Sequence, residues 1–415
     1  MRSNDKQPLV PLLRFPEFRD AGEWVQAPLG RLFSERQEAG QTNLPLLSLM
    51  DKKGIVPQED TNRKNNSSAD KSKYLRVVPG DIAYNTMRMW EGRSAYVGLE
   101  GLISPAYTVC VPVEGISSVF FSYHFKTASL IRQFRKYSQG LVKDTLNLKF
   151  EAFSRIDVPY PAEAREQQKI ADCLSSVDDL ITAEVRKLDA LKIHKKGLMQ
   201  QLFPCGDETV PRLRFPEFWG CGGWENIPLE RLIEIASGQV DPTEAPYCNL
   251  PHVGGENIES DTGNLQGLRS ASEDGVISGK YSFDERDILY SKIRPALNKV
   301  AAPDFRGICS ADIYPIRPSS DTLLREFLIY LLRSESFVEY AKKHSARGRI
   351  PKINREDLLA FGAMVPPLAE QQRIAFCLSS LDTLIDSQSR KLDDLRNHKM
   401  GLMQQLFPML NQALA

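Results

Sequence analysis

The segment EQQKIADCLSSVDDLITAEVRKLDALKIHKKGLMQQLFP, residues 166–204, decides how this chain is organised. It recurs as EQQRIAFCLSSLDTLIDSQSRKLDDLRNHKMGLMQQLFP, residues 370–408, at an offset of 204 residues with 27 of 39 positions identical. Nothing else in the chain repeats so closely. Two near-identical segments in one chain indicate an internal duplication, and the two copies are natural partners for each other.

Both copies predict a long amphipathic helix that ends at Pro204 or Pro408, because proline cannot continue a helix. Their apolar residues alternate in steps of four and three, the spacing of a coiled-coil seam. The predicted seam contains Ile170, Leu174, Val177, Ile181, Leu188, Leu191, Ile374, Leu378, Leu381, Ile385, Leu392 and Leu395. Polar residues interrupt the seam at matching places, namely Glu184, Lys195, Gln388 and Lys399. The alternative is two separate helices, each packed on its own domain.

The duplication extends beyond the helices. PLLRFPEF at 11–18 returns as PRLRFPEF at 211–218, and DIAYNTMR at 81–88 shares four positions with DILYSKIR at 287–294. Short runs bounded by Gly, Pro or Asp predict strands, and a helical stretch follows at 119–137 and again at 321–344. Strands and helices do not alternate regularly, so the predicted class is α+β. We expect two pseudo-repeated mixed α/β domains separated by two long helices that form an antiparallel coiled coil, with pseudo-two-fold symmetry overall.

The duplication also predicts the domain boundaries. The expected segments are a first globular domain at 1–160, a first spacer helix at 161–204, a second globular domain at 205–365, a second spacer helix at 366–408 and a tail at 409–415. The segment after the second helix would lead back to the start of the first domain. We therefore expect the chain nearly to close on itself.

Composition places the chain among ordinary water-soluble proteins, with 42% apolar and 26% charged residues and a formal net charge of zero. There is no apolar run near 18 residues, so no membrane span is expected. The seven cysteines form no CxxC pair and no Cys/His cluster, which favours a reduced, metal-free, cytoplasmic protein.

Sequence motifs of common enzymes are absent. The chain has no GxxxxGK[ST] phosphate loop, no GxGxxG, no HExxH and no GxSxG. The sequence therefore predicts a binding protein with no catalytic residue, no metal site and no cofactor of its own.

Charge is unevenly distributed along the chain. Residues 1–160 carry a net charge of +5 and residues 211–369 a net charge of −3. Each half nevertheless has a basic stretch at the end of its late helix and in the loop that follows, at 126–149 and at 342–355. The candidate DNA-binding residues are Arg135, Lys136, Lys143, Lys149, Lys342, Lys343, Arg347, Arg349 and Lys352. The alternative is a solvated charged surface. The role of the repeated pair Arg88 and Arg294 stays open, with a structural salt bridge inside each domain as one alternative.

The two EQQ(K/R)IA helices, the LRFPEF segments and the paired Asp-Ile-x-Tyr…Arg strands resemble the specificity subunits of type I restriction-modification systems over nearly the whole chain. The resemblance implies a non-catalytic DNA-recognition subunit, in which each domain reads one half of a split double-stranded DNA target through the major groove. It also implies that the coiled coil sets the half-site spacing.

The same resemblance implies partners. Two methyltransferase (M) subunits would dock on this chain and restriction/motor (R) subunits would join them, and those partners would use S-adenosylmethionine, ATP and Mg. The alternative function is a protein-interaction scaffold with two modules on a coiled-coil spacer and no nucleic acid. Steep salt dependence of DNA binding would distinguish a DNA reader from a scaffold.

Overall fold

The protein is described by a computed structural model covering residues 9–41, 43–50, 54–61, 70–206, 208–345 and 349–408. These residues form two compact units. Unit 1 contains the described residues up to Glu184 and those from Lys391 onward, and unit 2 contains Val185–Arg390. The five segments predicted from the sequence stay a prediction, and the tail 409–415 and Arg347 lie outside the described residues.

Unit 1 is built on a four-stranded antiparallel sheet and three smaller strand pairs. Its strands are β1 Val25–Pro28, β2 Phe33–Glu35, β3 Leu47–Met50, β4 Gly54–Pro57, β5 Leu75–Val77, β6 Ile82–Asn85, β7 Ser94–Tyr96, β8 Gly101–Ile103, β9 Tyr107–Pro112 and β10 Asp157–Tyr160. Its helices are α1 Leu29–Leu32, α2 Ser118–His124, α3 Ala128–Tyr137, α4 Phe150–Phe153 and the start of α5 Ala164–Leu202. The main sheet has the order β2-β9-β6-β7, and β6 is its Asp-Ile-x-Tyr strand.

Unit 2 repeats this plan with a second four-stranded sheet. Its strands are β11 Glu225–Pro228, β12 Ile233–Ile235, β13 Pro251–Val253, β14 Arg269–Ser270, β15 Tyr281–Phe283, β16 Ile288–Ser291, β17 Val300–Ala301, β18 Gly307–Cys309, β19 Ile313–Pro318 and β20 Gly362–Val365. Its helices are α6 Arg325–Arg333, α7 Glu335–Ser345, α8 Arg355–Leu359 and most of α9 Leu368–Gln405. The sheet β12-β19-β16-β17 matches the main sheet of unit 1, and β14-β13-β18-β15 contains the parallel pair β13 and β18.

The helical stretch predicted in each half is two helices, not one. In unit 1 the break lies between α2 and α3, where the Thr127 hydroxyl donates to the His124 carbonyl at 2.7 Å. In unit 2 it lies at Ser334, whose hydroxyl donates to the Leu331 carbonyl at 2.7 Å. Both hydroxyls are buried and satisfy a carbonyl of the preceding turn while their own backbone is extended, which ends one helix and begins the next.

The two long helices run antiparallel where they meet inside unit 1. Asp178 of α5 binds Lys399 of α9, and Glu184, six residues later in α5, binds Lys391, eight residues earlier in α9. Inside unit 2, Lys195 binds Asp382. The fold class predicted from the sequence, α+β with two mixed domains and two long helices that form an antiparallel coiled coil, is confirmed, whereas the two-fold relation between the halves stays a prediction.

Each unit has its own hydrophobic core, to which both long helices contribute. In unit 1, Ile170 and Leu174 of α5 share a core with Leu406 and Phe407 at the end of α9. In unit 2, Leu202 and Phe203 share a core with Ile374 and Leu378. All twelve predicted seam residues are buried or half-buried. Six of them are fully enclosed, namely Ile170, Leu174, Ile374, Leu378, Ile385 and Leu392.

Candidate nucleic-acid interface

The basic loop of unit 1 follows α3 and lies on the surface. Its candidate DNA-binding residues, Arg135, Lys136, Lys143 and Lys149, are all exposed. The Lys143 ammonium stands 5.2 Å from the centroid of the Trp90 ring, a cation–π distance. The candidate residues therefore present positive charge to solvent and are not part of the hydrophobic core.

The central part of this loop is a finger formed by residues 139–147. The backbones of Gln139 and Asn147 exchange two hydrogen bonds of 2.8 Å, which close the base of the finger. Gly140 has φ +142°, and a Cβ atom there would lie 2.6 Å from the Thr145 carbonyl oxygen, so this position requires glycine. Beyond it, Leu141 and Val142 project with 101% and 61% of their surface exposed.

The finger is joined to the turn that follows the Asp-Ile-x-Tyr strand. The Leu148 backbone N–H donates to the Thr86 carbonyl at 2.8 Å. That turn contains Arg88, whose side chain is 56% exposed and 3.7 Å from Glu91. Arg88 therefore does form a salt bridge within its unit, but an exposed one, so its charge lies at the surface near the loop.

Unit 2 repeats the junction between turn and loop. The Ile353 N–H donates to the Lys292 carbonyl at 3.1 Å, at the place that Leu148 and Thr86 occupy in unit 1. The Arg294 N–H also donates to the Pro351 carbonyl at 2.8 Å. Arg294 has φ +48°, a left-handed conformation, and its side chain is exposed.

The candidate residues of unit 2 that the structure describes, Lys342, Lys343, Arg349 and Lys352, are exposed. Lys342 pairs with Glu339 at 2.7 Å, and Lys352 lies 4.0 Å from Asp312. Exposed pairs of this kind contribute little to stability because water screens them. A phosphate group could replace either carboxylate partner at small cost.

A buried ion pair fixes the LRFPEF segment of unit 1 to the first turn of α5. The Arg14 guanidinium donates to both carboxylate oxygens of Glu166, at 2.8 and 2.7 Å, and the side chains are only 8% and 2% exposed. The Trp24 indole N–H donates to the same carboxylate at 3.2 Å. The bond with Glu166 raises the pKa of Arg14, so the guanidinium stays charged.

Unit 2 contains the same arrangement at the first turn of α9. Arg214 donates to both oxygens of Glu370, at 2.8 and 2.7 Å, and the side chains are 6% and 1% exposed. The Trp224 indole donates to Glu370 at 3.3 Å. The repeated LRFPEF and EQQ motifs are therefore two halves of one structural contact.

The first glutamine of each EQQ motif holds a loop of its own unit. Gln167 accepts from the Ser117 N–H at 2.9 Å and donates to the Pro161 carbonyl at 3.0 Å. Gln371 accepts from the Leu324 N–H at 2.9 Å and donates to the Thr322 carbonyl at 2.7 Å. Both glutamines are fully buried. The motif thus sets where each late helix starts relative to the long helices.

The two lysines that interrupt the predicted seam are partnered. Lys399 binds both oxygens of Asp178 at 2.6 and 2.7 Å and stands 5.1 Å over the ring of Tyr123, whose hydroxyl donates to Asp178 at 2.8 Å. Burial, and to a smaller extent the bond with Asp178, raise the pKa of Tyr123, so it remains a neutral donor.

The matching cluster in unit 2 is formed by Lys195, Asp382 and Tyr330. The Tyr330 hydroxyl donates to Asp382 at 2.8 Å, and Lys195 binds Asp382 and stands 5.5 Å over the tyrosine ring. Burial lowers the pKa of Lys195, against the attraction of Asp382. Each seam lysine therefore connects both long helices to the late helices of its unit.

Two further findings bear on the kind of site. Over the described ranges, no group of three or more His, Cys, Asp or Glu side chains is placed to hold a metal ion. Among the helices of those ranges, none is both long enough and apolar enough to cross a membrane.

Comparison with known proteins identifies the class. The family model described as "Type I restriction modification DNA specificity domain" matches residues 104–192 and 222–397, more than half of the chain. The chain belongs to this family of DNA specificity subunits. Subunits of this class recognise DNA and are not catalytic. The resemblance identified from the sequence is thereby confirmed.

Individual relatives agree. The chain is 34% identical over 193 residues to the type I restriction enzyme EcoDI specificity subunit of Escherichia coli, an alignment that spans 46% of this chain and 42% of that relative. It is 25% identical over 356 residues to the MjaVIII specificity subunit of Methanocaldococcus jannaschii, spanning 80% and 81% of the two chains.

Solved structures support the fold. The S subunit of a type I restriction-modification system from M. genitalium aligns with a TM-score of 0.61 at 12% identity, over 97% of this chain and 100% of that one. A chain from a study of complex assembly and conformational transition of the type I R-M system aligns with a TM-score of 0.56 at 16% identity, over 93% and 97%. At such low identity the likeness concerns the fold alone.

The basic loops could be predicted from the sequence, whereas other exposed features beside them could not. The sequence did not indicate the exposed Leu141 and Val142, because two apolar residues in a loop carry no periodic signal. The repetition of Arg88 and Arg294 was visible in the sequence, but their exposure was not. The contact of Trp24 with Glu166 could have been found from the shared repetition of the two residues.

Proposed function

We propose that this chain is the sequence-reading subunit of a type I restriction-modification complex and that each unit reads one half of a split DNA target through the major groove. One observation carries the proposal. Both units join a turn after the Asp-Ile-x-Tyr strand to an exposed basic loop by the same backbone bond, from Leu148 to Thr86 and from Ile353 to Lys292. The frame is repeated while the exposed side chains differ, as two different half-sites require.

The exposed cations suit a phosphate backbone. Lysine and arginine side chains release condensed counterions when they neutralise phosphates, so affinity falls steeply with salt. Arginines beside such a loop can also reach guanine edges in the major groove. Arg88 and Arg294 are exposed in the turns beside the two loops and are the arginines so placed.

The test has two stages. Methylation of the host genome is compared with the gene deleted and restored, which should reveal a split motif that loses and regains methylation. Binding of the assembled complex to that motif is then measured over a salt series for wild type, Lys143→Ala and Arg349→Ala. Each substitution of a phosphate contact should weaken binding and reduce the salt slope by about one.

Arg286→Ala serves as the matched control. Arg286 is also exposed, at 69%, but its guanidinium pairs with Asp284 at 2.6 Å. Wild-type affinity of Lys143→Ala and Arg349→Ala at every salt concentration would remove both loops from the interface. A complex that shows no salt-dependent DNA binding would favour the protein scaffold.

We further propose that the long helices dock the two methyltransferase subunits. Several positions are identical in both helices yet point to solvent. Leu180 and Leu384 are 44% and 54% exposed, and a Cβ added at Gly197 or Gly401 would meet nothing within 4 Å. Glycine inside a helix costs about 1 kcal/mol relative to alanine, and no contact of the chain demands it here. A partner that approaches both helices closely would explain both features.

Docking is tested by co-purification with the methyltransferase subunits. The double variant Leu180→Glu, Leu384→Glu should lose them, because two charges would enter the contact. Ile193→Glu is the control, since Ile193 is 72% exposed but has a different residue, Asn397, at its repeat position. Equal retention of the methyltransferase subunits by both variants would place docking elsewhere.

The helices are also proposed to set the gap between half-sites. Four residues inserted near Lys195 add one helical turn and about 6 Å of helix. The methylated motif should then show a longer central gap with unchanged half-sites. An unchanged gap in a complex that still methylates would rule out the spacer role.

In the proposed complex, the catalytic reactions are carried out by the partner subunits. S-adenosylmethionine, ATP and Mg are proposed to bind methyltransferase and restriction/motor subunits, with no cofactor in this chain and a cytoplasmic location. Purified alone, this chain should bind none of the three, which calorimetric titration checks.

A further inference from the structure

The structure points to a specificity element that positive charge does not explain, and this inference rests on the proposed DNA reading. We infer that the finger of unit 1 reads thymine through the apolar contact of Leu141 and Val142 with the 5-methyl group in the major groove. The methyl group distinguishes thymine from the other bases at the edge that a protein can reach.

The first support is exposure against the surroundings. Leu141 is fully exposed and Val142 is 61% exposed, at the tip of a loop whose flanks carry the exposed Lys143, Lys149 and Arg135. An apolar tip surrounded by cations complements a surface that has an apolar group at its centre and anionic groups on either side. The major groove at a thymine has that character, with phosphates on both sides and a methyl group on its floor.

The second support is preorganisation. The base of the finger is closed by two backbone bonds, and Thr145 closes its tip by donating its N–H to the Val142 carbonyl at 2.9 Å and its hydroxyl to the same oxygen at 3.0 Å. Gly140 makes the turn possible. The finger is tied to the sheet through Leu148 and Thr86. Because the backbone that carries the two apolar side chains is held in this way, little backbone entropy is lost on binding, and their contact adds discrimination.

The experiment uses the complex assembled with its methyltransferase subunits and duplexes of the motif identified from methylation. Each thymine of the motif is replaced in turn by deoxyuridine, which removes only the methyl group. For wild type, one or more replacements in a single half-site should weaken binding about fourfold, the factor expected for one buried CH₂-sized group. In the variants Leu141→Ala and Val142→Ala that penalty should shrink toward none.

Leu99→Ala is the matched control, an exposed leucine of the same unit at 46%. The inference is overturned if no thymine occurs in either half-site. It is also overturned if removal of the methyl group weakens wild type and variants equally. Variants that lose the same affinity for thymine and for deoxyuridine duplexes would overturn methyl readout in favour of insertion between bases. Variants with unchanged DNA affinity would overturn it in favour of contact with a protein partner. The proposed function would survive each of these outcomes provided that Lys143→Ala still reduces the salt slope.

Discussion

The two units share their inner contacts and differ in how some of those contacts are supplied. In both, a buried aspartate before the main-sheet strand is held by an arginine. Asp81 of unit 1 is held by Arg36, which follows β2, at 2.9 and 3.1 Å. Asp287 of unit 2 is held by Arg317 of β19, at 2.8 Å to both oxygens. The charge partner has changed strand while the aspartate has kept its place.

This difference teaches what duplication preserves. An uncompensated buried charge is strongly destabilising, so each carboxylate keeps a cationic partner, but that partner can come from a different strand of the sheet. Contacts to the long helices are stricter, because Arg14 and Arg214 occupy the same repeat position and bind the same glutamate of the repeat. The two repeats therefore differ least in their contacts to the long helices and most in their exposed loops.

The largest expected effect tests the equivalence of the two helix anchors. Glu370→Ala leaves Arg214 buried without its carboxylate and should destabilise unit 2 by about 3–5 kcal/mol. Glu166→Ala should cost unit 1 a similar amount, because Arg14 and Glu166 are nearly as enclosed. Denaturant unfolding followed by hydrogen exchange in each unit measures both.

Glu217→Ala is the control for those variants, because it removes the exposed pair with Arg373 and should change stability by less than about 1 kcal/mol. Replacing both buried partners with apolar residues, Arg214→Met with Glu370→Leu, should recover much of the loss. A large cost in one unit and none in the other would break the equivalence.

A smaller effect separates the units by pH. His124 is fully buried in unit 1 and stacks on Phe407 at 4.8 Å, whereas Leu331 takes the matching place in unit 2. Burial lowers the pKa of His124 from 6.5 to about 3. Below pH 6.5 His124 binds a proton in the unfolded chain but not in the folded chain. Unit 1 therefore loses stability as pH falls from 6.5 toward 3.

At pH 5 the loss from this histidine should be about 2 kcal/mol, from 1.36 kcal/mol per pH unit. His124→Leu should remove that loss. The free energy of unfolding of unit 1 in the variant, relative to wild type, should therefore rise by about 2 kcal/mol from pH 7 to pH 5, while unit 2 is unaffected. Unfolding curves at both pH values, with hydrogen exchange to assign the unit, check this. A difference between variant and wild type that is independent of pH would show that His124 does not titrate as described.

The smallest effect is expected from reordering the chain. The Leu13 N–H donates to the Gln405 carbonyl in unit 1, and the Leu213 N–H donates to the Gln201 carbonyl in unit 2, both at 2.9 Å. The entry to each unit is thus bonded to the end of a long helix in the same way. A permutant with joined ends, reopened near Cys205, should keep near-wild-type stability and DNA binding. Insoluble protein would contradict the matching of the two junctions.

The long helices and the repeated domains could largely be predicted from the sequence, whereas the loops and the helix breaks could not. Repetition of the EQQ segments gave the long helices, since 27 identical positions and 3-4 spacing carry strong local signals. The breaks at Thr127 and Ser334 were missed, because a single hydroxyl that turns back on its own helix leaves the surrounding sequence helical. The partner of Asp81 could not be predicted either, because Arg36 follows β2, which is separated from β6 by β9 and is brought near Asp81 only by the tertiary fold.

The candidate interface divides in the same way. Exposed cations could be located from charge clustering, and the structure describes eight of the nine proposed residues, all exposed. Whether they touch DNA stays a prediction. The apolar tip at Leu141 was beyond sequence reasoning, because its significance comes from exposure and from the geometry at Gly140.

The matched junctions at Leu13 and Leu213 also bear on how new specificities arise. Because residues 166–204 and 370–408 are so alike in amino-acid sequence, an exchange of the segment between them would join to the same helix sequence on both sides. The incoming unit would supply its own arginine, tryptophan and backbone junction, while the retained helix would offer the glutamate that they require. With each unit reading one half-site, as proposed, such an exchange would replace half of the DNA target in one event and keep the contacts to the long helices.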